Sequence, residues 1–454
     1  MGEALKMERI KNPLELLQER FCLINLSGEI RIVDRHEIAT VLAGGDGHIN
    51  FYKRPEGQIL INRFLEALPQ TSKANEVYRD FLINPGTHTY DRVAFSPLKT
   101  LPTTLNYWSG FTVNPSKGKW AVIRNFLRTV ICDNDDDVFL YLLRYLAHMI
   151  QRPEEKPGIM IVLLSGQGTG KGTFFRLLRK IWERTTLQVS DVNDVIGQFN
   201  AALERNFVIC MDEAIFSGDR KSLEKLKSLI TEPQCRIEQK YQPARTIESY
   251  HRFFAASNHD HFAQVDKDDR RFLFIRVSSV HKQEDDYFNK VCATIDDDQA
   301  ISAMVYDLKH LDISTFNVRN RPVTNEHISQ RTQSLSGFER YWYEVLHSGS
   351  FIGKYDSLTA GAEIINWSDS MFISTDKLKR RYEENDRHAT RYQSVQRRAI
   401  AGSLCKLCPS AKPSRKLQLG KQERGYQLPS LGIARHEFEK VLGCTLNWDD
   451  DDST

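Results

Sequence analysis

The chain has 454 residues, 41% hydrophobic and 27% charged, with a formal net charge of +3. That length exceeds one ordinary core and calls for roughly two to four domains of a globular protein; the charge excludes a global polycation. The longest apolar run, Ile159–Leu164, is far short of a bilayer span, the N-terminal segment has no secretory pattern, and the eight cysteines lack a framework spacing, as suits reduced thiols in a cytosol.

Residues 1–90 read as a small α+β module. Leu14–Arg20 has a helical pattern; Phe21–Leu26, Ile30–Val33, Ile49–Tyr52 and Ile59–Ile61 read as short strands. His36, His48 and His88 are too widely spaced for a metal site. Residues 91–150 form a lead-in. Its first part is loop-like, and Tyr107, Trp108, Phe111 and Trp120 read as a packing anchor rather than a base-stacking platform. Ala121–Ile150 reads as a helical pair. The acidic run Asp133–Asp137 fails as a calcium loop, because Val138 stands where glycine is needed and Arg144 at the twelfth position. It reads instead as a helix start capped by Asp133 or Asn134, with Val138, Tyr141, Leu142, Tyr145 and Met149 on the apolar face.

Residues 151–345 carry the chemistry. The apolar strand Ile159–Leu164 runs into Ser165-Gly166-Gln167-Gly168-Thr169-Gly170-Lys171-Gly172-Thr173 and then a helix with Phe175, Leu178, Ile181 and Trp182 on one face. Strand, glycine-rich turn and helix are the context of a phosphate-binding loop. The glycines bring backbone N–H groups to phosphate oxygens, Lys171 reaches the β- and γ-phosphates, and the helix dipole favours the same anion. Two positions depart from the usual pattern. Ser165 stands where the first glycine is expected, and Gly172 follows the lysine, so the magnesium-side hydroxyl falls to Thr173. A second apolar strand, Phe207–Met211, ends in Asp212-Glu213. The chemistry assigns Asp212 to the metal shell and Glu213 to the attacking water. A helix over Lys221–Ile230 precedes a β-hairpin, Arg236–Glu248, whose tip carries Lys240 and Tyr241. A third strand, Arg252–Ser257, ends in Asn258, placed to sense the γ-phosphate. His259 and His261 lack a third ligand for a metal. Arg270-Arg271 lead into a strand over Phe272–Val277, and residues 278–345 look helical.

From residue 346 to 448 the composition turns basic, with fourteen Lys+Arg against four Asp+Glu between Lys377 and Arg424. Helices at Thr375–Asn385 and Tyr392–Leu407, then a wing at Leu417–Leu428, suggest a winged-helix-like domain with a nucleic-acid footprint. Cys405 and Cys408 form a lone CxxC, read as core thiols. Residues 449–454 read as a disordered acidic tail.

These motifs, in this order, resemble the superfamily 3 helicases, and most of all the helicase half of phage and prophage primase-helicases with their poxvirus-type relatives. SGQGTGKGT, FVICMDEA, LKSLITEPQCRIEQKYQPA, FFAASN and RRF carry the likeness, with YWSGFTVNP and YLLRYLAHMIQRPEEKPG upstream. The resemblance implies an α/β fold with an AAA+-type P-loop NTPase core on a parallel sheet, ATP and Mg²⁺ as cofactors, and a homo-oligomeric ring, expected as a hexamer. It makes Lys171, Asp212, Glu213 and Asn258 the ATP site, and Lys240 and Tyr241 the residues that track single-stranded DNA. Arg271, with Arg270 as the alternative, would be the finger acting on a neighbouring subunit's ATP. The expected activity is ATP-dependent 3′→5′ unwinding of forked DNA in the host cytoplasm. Too few residues precede the shared region for a primase domain, so a separate primase or polymerase is the expected partner, with no membrane. Two other readings stay open: an AAA+ DNA-binding switch without unwinding, and a nucleotide kinase-like phosphotransferase.

Overall fold

The computed structural model describes residues 12–26, 28–43, 48–68, 73–214, 216, 220–240, 244–259, 261–263, 269–352, 364–385, 396–418 and 421–448. The chain divides into two compact units, 1–262 with 270–324, and 263–269 with 325–454. The first opens with a helix over Pro13–Arg20, started by a reciprocal cap between Asn12 and Glu15. The strand Phe21–Leu26 pairs antiparallel with Glu29–Asp34 and parallel with Thr89–Tyr90. Leu17, Ile32, Ile61, Leu65 and Phe81 fill the small core beneath.

Two expected strands are absent here. Ile59–Ile61 lies inside a helix, Arg54–Glu66, where Pro55 sits in the first turn and Glu56 accepts from the Lys53 N–H. Gly57, Ile61 and Leu65 recur every four residues on its buried side, a helical period that the short Ile-Leu-Ile run masks. A Cβ at Gly57 would stand 2.5 Å from Ile32 Cδ1, so glycine is what lets this helix reach the sheet. Ile49–Tyr52 reduces to a single bridge, Tyr52 to Ile32, because the helix begins two residues later.

The aromatic anchor is a packing feature, as expected. Tyr107 and Trp120 are buried, and Trp108 meets Phe207 edge-on at 4.9 Å. The loop-like stretch also holds a short parallel pair, Arg92–Ala94 with Thr104–Asn106. The helix Ala121–Asn125 continues as a π-helical turn, Phe126–Ile131, closed by the Cys132 N–H on the Leu127 carbonyl. The next helix, Asp136–Gln151, is capped by Asp135 rather than by Asp133 or Asn134. Asp135 accepts from the N–H groups of Asp137 and Val138, while Asp133 and Asn134 form the left-handed turn before it, at φ 47° and 59°.

The centre of this unit is a five-stranded, wholly parallel sheet: β1 (Met160–Leu164), β2 (Thr186–Val189), β3 (Val208–Met211), β4 (Arg252–Ser257) and β5 (Phe272–Arg276). The last of these stops one residue short of the expected Val277. Their spatial order is β5-β1-β4-β3-β2. Every residue of β1, β3 and β4 is buried, as strands covered on both faces require. The register sets Ser257 of β4 against Leu164 of β1, so the residues after these two strands emerge side by side.

The amino ends of the strands are held by Arg252. Its guanidinium is fully buried, donates to the carbonyls of Tyr250, Arg152, Pro153 and Glu155, and stacks 4.8 Å from the Phe207 ring. It thereby satisfies the chain leaving the Asp136–Gln151 helix, whose last carbonyls have no helical partner. The expected hairpin forms, Gln234–Ile237 with Arg245–Glu248, although its tip at 241–243, with Tyr241, lies outside the described residues.

In the second unit, helices Asn325–Ser334 and Gly337–Ser348 precede a three-stranded antiparallel sheet with Met371–Ser374 beside Lys421–Leu428 and Lys412–Gln418 outermost. Phe338, Tyr341, Trp342, Val345 and Leu346 are core, as expected of that aromatic-rich helix. Helix Thr375–Asn385 has the predicted bounds, and Arg397–Leu407 the predicted end; 392–395 lie outside the described residues. The hairpin starts at Lys412, earlier than Leu417, because its outer strand has no alternating apolar face to announce it. Cys405 is exposed and Cys408 buried. The acidic tail at 449–454 lies outside the described residues. Among the described residues no helix is long and apolar enough to cross a membrane.

Two buried histidines make this fold sensitive to acid. His251 sits between Ser249 Oγ at 2.8 Å and the Leu203 carbonyl at 2.9 Å; burial, helped by the Lys156 ammonium, holds its pKa down at about 3. Burial, with the Arg252 charge, holds His148 at about 4. Both lie below the ordinary value, so between pH 6.5 and 4 the unfolded chain binds protons that the folded one does not. The histidines' contribution to stability is full above that window and falls as pH drops, by up to about 2 kcal/mol per histidine between pH 6.5 and 5. Thermal unfolding from pH 7 to 5 should show a falling midpoint, and His251→Gln should make the fall shallower; an unchanged slope in the variant would exclude His251 as a cause.

Candidate active site

A cleft of about 620 Å³ opens at the carboxyl ends of the strands. Its floor is the loop from Gln167 to Thr173, which leaves β1 and enters the helix Lys171–Ile181. Gly168 and Gly170 take φ of 74° and 101°, the left-handed region where a side chain is strained. At Gly170 a Cβ would also stand 2.7 Å from Phe288. Ser165 and Thr169 close the turn through a 2.6 Å hydroxyl contact, and Thr169 Oγ1 also donates to the Gly166 carbonyl. Ser165, standing where glycine is usual, is therefore part of the loop's internal bracing.

Lys171 is 8% exposed. Its ammonium donates to the Ser165 carbonyl at 2.8 Å, Ser165 Oγ at 3.0 Å, the Gly166 carbonyl at 2.8 Å and Asn258 Oδ1 at 2.8 Å. All four acceptors are neutral. Burial draws its pKa below the ordinary lysine range, and the Asp212 and Glu213 carboxylates act in the opposite sense. Asn258 follows β4 and bridges the lysine to the acidic pair, its amide standing 3.5 Å from Glu213 Oε1. Asp212 and Glu213 follow β3; Glu213 is exposed at φ 53°, and its N–H donates to Asp212 Oδ1 at 3.1 Å. The structure thus brings Gln167–Thr173, Asp212, Glu213 and Asn258 into one cleft. Thr173 lines it, whereas a side chain at Gly172 would meet open space. Hard oxygen donors, the Thr173 hydroxyl and the Asp212 carboxylate, are the donor set that suits Mg²⁺.

Arg270 and Arg271 are not in this cleft. They precede β5, at the amino end of the sheet, where the Arg271 carbonyl accepts from the Met160 N–H at 2.8 Å. Lys240 is also remote from it: exposed at the hairpin, its ammonium 5.4 Å from the ring centroid of Phe199, itself 48% exposed. Phe199 escaped the sequence reading, because a lone aromatic in a polar stretch has no pattern. So did Gln283, Asp285 and Phe288, which line the cleft from the segment after β5. Nothing in the sequence ties the acidic start of that segment's helix, Asp285-Asp286, to a loop more than a hundred residues upstream.

Three comparisons bear on this site. A family described as one of unknown function (DUF5906) matches residues 163–271, the span from β1 to the start of β5. The chain is 28% identical over 178 residues to a DNA primase-polymerase of Nitratiruptor phage NrS-1, an alignment covering 38% of this chain and 24% of that protein. The chain thus matches about a quarter of the length of this curated relative. Among solved structures, the apo C-terminal region of NrS-1 has a TM-score of 0.61 at 17% identity, covering 92% of this chain and 100% of that one. An A-form apo structure of the same region gives 0.61 at 16% identity with the same coverage. The chain therefore has the mixed α/β fold of that region.

Proposed function

We propose that the chain is an ATP-hydrolysing motor on DNA, a superfamily 3-type helicase with an AAA+ core that acts in phage or prophage replication. The observation that carries this reading is the Lys171 ammonium bonded to Asn258 in one cleft with Asp212 and Glu213. The strand order supports it, since β4 between β1 and β3 sets a polar residue directly beside the phosphate loop. The likeness to a phage primase-polymerase supports the setting.

In this reading Lys171 and the loop N–H groups bind the β- and γ-phosphates of ATP. Thr173 and Asp212 would hold Mg²⁺, which when bound supplies charge neutralisation on the phosphates. Glu213 orients the attacking water and takes its proton, and Asn258 reports the γ-phosphate to Lys171. Arg271, or Arg270, lies at the other end of the sheet and so acts on the ATP of the next subunit in a ring, expected as a hexamer. Lys240 and Tyr241 on the hairpin follow one DNA strand in the 3′→5′ sense. The C-terminal unit serves as a winged-helix-like DNA contact. Its outer hairpin sets Arg415 opposite Arg424, both exposed, a like-charge pair that costs stability and that a phosphate would relieve. A separate primase or polymerase would complete the replication machinery in the host cytoplasm.

The decisive experiment is ATP turnover with and without single-stranded DNA, alongside unwinding of a 3′-tailed duplex. Stimulated turnover with strand separation is the expected result. Turnover without separation on either tail would identify an AAA+ switch instead, and phosphoryl transfer to a nucleotide a kinase. Lys171→Ala should abolish hydrolysis while leaving the fold intact, and Arg271→Ala should lower hydrolysis by ~10³–10⁵ if it is the finger. Lys240→Ala should bring the ratio of turnover with DNA to turnover without it down to about one; a preserved ratio would remove the hairpin from the DNA path.

A further inference from the structure

The strand order also assigns the two ends of the cleft. Asn258 and the acidic pair follow β4 and β3, on one flank of the phosphate loop. The segment after β5 lies on the other flank, because β5 is the neighbour of β1 on that side. A nucleoside triphosphate whose γ-phosphate faces Asp212 and Glu213 must extend its ribose and base the opposite way. Neighbouring strands stand about 4.8 Å apart, so the far end of the nucleotide falls within one or two strand spacings, over the segment after β5.

That segment is built against the loop. The Gln283 N–H donates to the Gly168 carbonyl at 3.1 Å, and Gln283 is held at φ 63°, a conformation a glutamine rarely adopts. Phe288, half-buried, packs on Gly170 and lines the cleft, as do the exposed side chains of Gln283 and Asp285. An aromatic face, an amide and a carboxylate are the groups that a base and a ribose need. The ring offers stacking, the amide both a donor and an acceptor for a base edge, and the carboxylate an acceptor for ribose hydroxyls. We propose that Gln283, Asp285 and Phe288 form the base-and-ribose subsite, with the Gln283 amide placed to bond a base edge. This rests on the phosphate-loop reading above and adds to it which residues hold the nucleoside.

The test compares Mg–ATP with Mg–tripolyphosphate, which has the phosphates and no nucleoside, by calorimetric titration of the full chain. Two variants are used because Phe288 also supports Gly170: Phe288→Ala, and Gln283→Gly, which deletes the side chain while tolerating the left-handed backbone. Both should weaken ATP about tenfold and leave tripolyphosphate within twofold. If Gln283→Gly weakens both ligands alike, or leaves ATP binding unchanged, the subsite is overturned while the phosphate-loop reading stands; an equal loss in Phe288→Ala alone reports the support of Gly170, and Gln283→Gly then decides. If the parent binds neither ligand, both readings fall together.

Discussion

A lysine ammonium taken almost wholly out of water, with no carboxylate bonded to it, is the constraint on which the site depends. Burying such a charge is tolerable only when its hydrogen-bonding capacity is met. Lys171 meets it with two carbonyls and a hydroxyl from its own loop and one amide oxygen from Asn258. Three of those partners need only a tight glycine turn. The fourth comes from a residue 87 positions away, and it arrives only because β4 pairs with β1 in the register that sets Ser257 against Leu164. The sheet order is therefore a condition of the charge being there at all.

The opposite edge of the same sheet solves a related problem by different means. Arg252 is buried still more completely, yet its two terminal nitrogens bond backbone carbonyls, three of the chain leading to β1 and that of Tyr250 before β4, and its plane lies on the face of Phe207. Burial lowers its pKa only to about 10, so it stays charged and acts as a structural staple. Lys156, nearby, is drawn by burial down to about 7 and donates to Ser249. Cations at the amino edge close the chain on itself, while the cation at the carboxyl edge faces a cleft with two acids. The difference between scaffold and chemistry lies in what each cation is bonded to.

Much of this was legible in the order of residues. Strands such as Met160–Leu164 and Arg252–Ser257 announce themselves because burial on both faces demands unbroken apolar runs, and the glycine turn before Lys171 has a fixed chemical pattern. The helix at Arg54–Glu66 was misread because three adjacent aliphatics look like a strand until Pro55 and the four-residue spacing of Gly57, Ile61 and Leu65 are weighed. The strand order was not legible, since parallel strands of similar composition can exchange places without altering any local pattern. Hence the polar wall supplied by Gln283 and Asp285 stayed hidden: its place beside Gly168 is a consequence of which strand borders β1.

The π-helical turn at Phe126–Ile131 has a bearing on how this chain can change length. Its wide turn lets the Val130 carbonyl accept from the Ser278 N–H just beyond β5, and it sets Phe126 where a Cβ on Gly170 would come within 3.1 Å. Such a turn holds one residue more than an α-helical turn. Loss of a single residue between Leu127 and Ile131 would restore a regular helix and rotate what precedes it by about 100°. That would swing Phe126 off the phosphate loop with no change in its own identity. A change in the number of residues here thus moves Phe126 where a change in their identity need not, so the length of this stretch is itself part of the site's geometry.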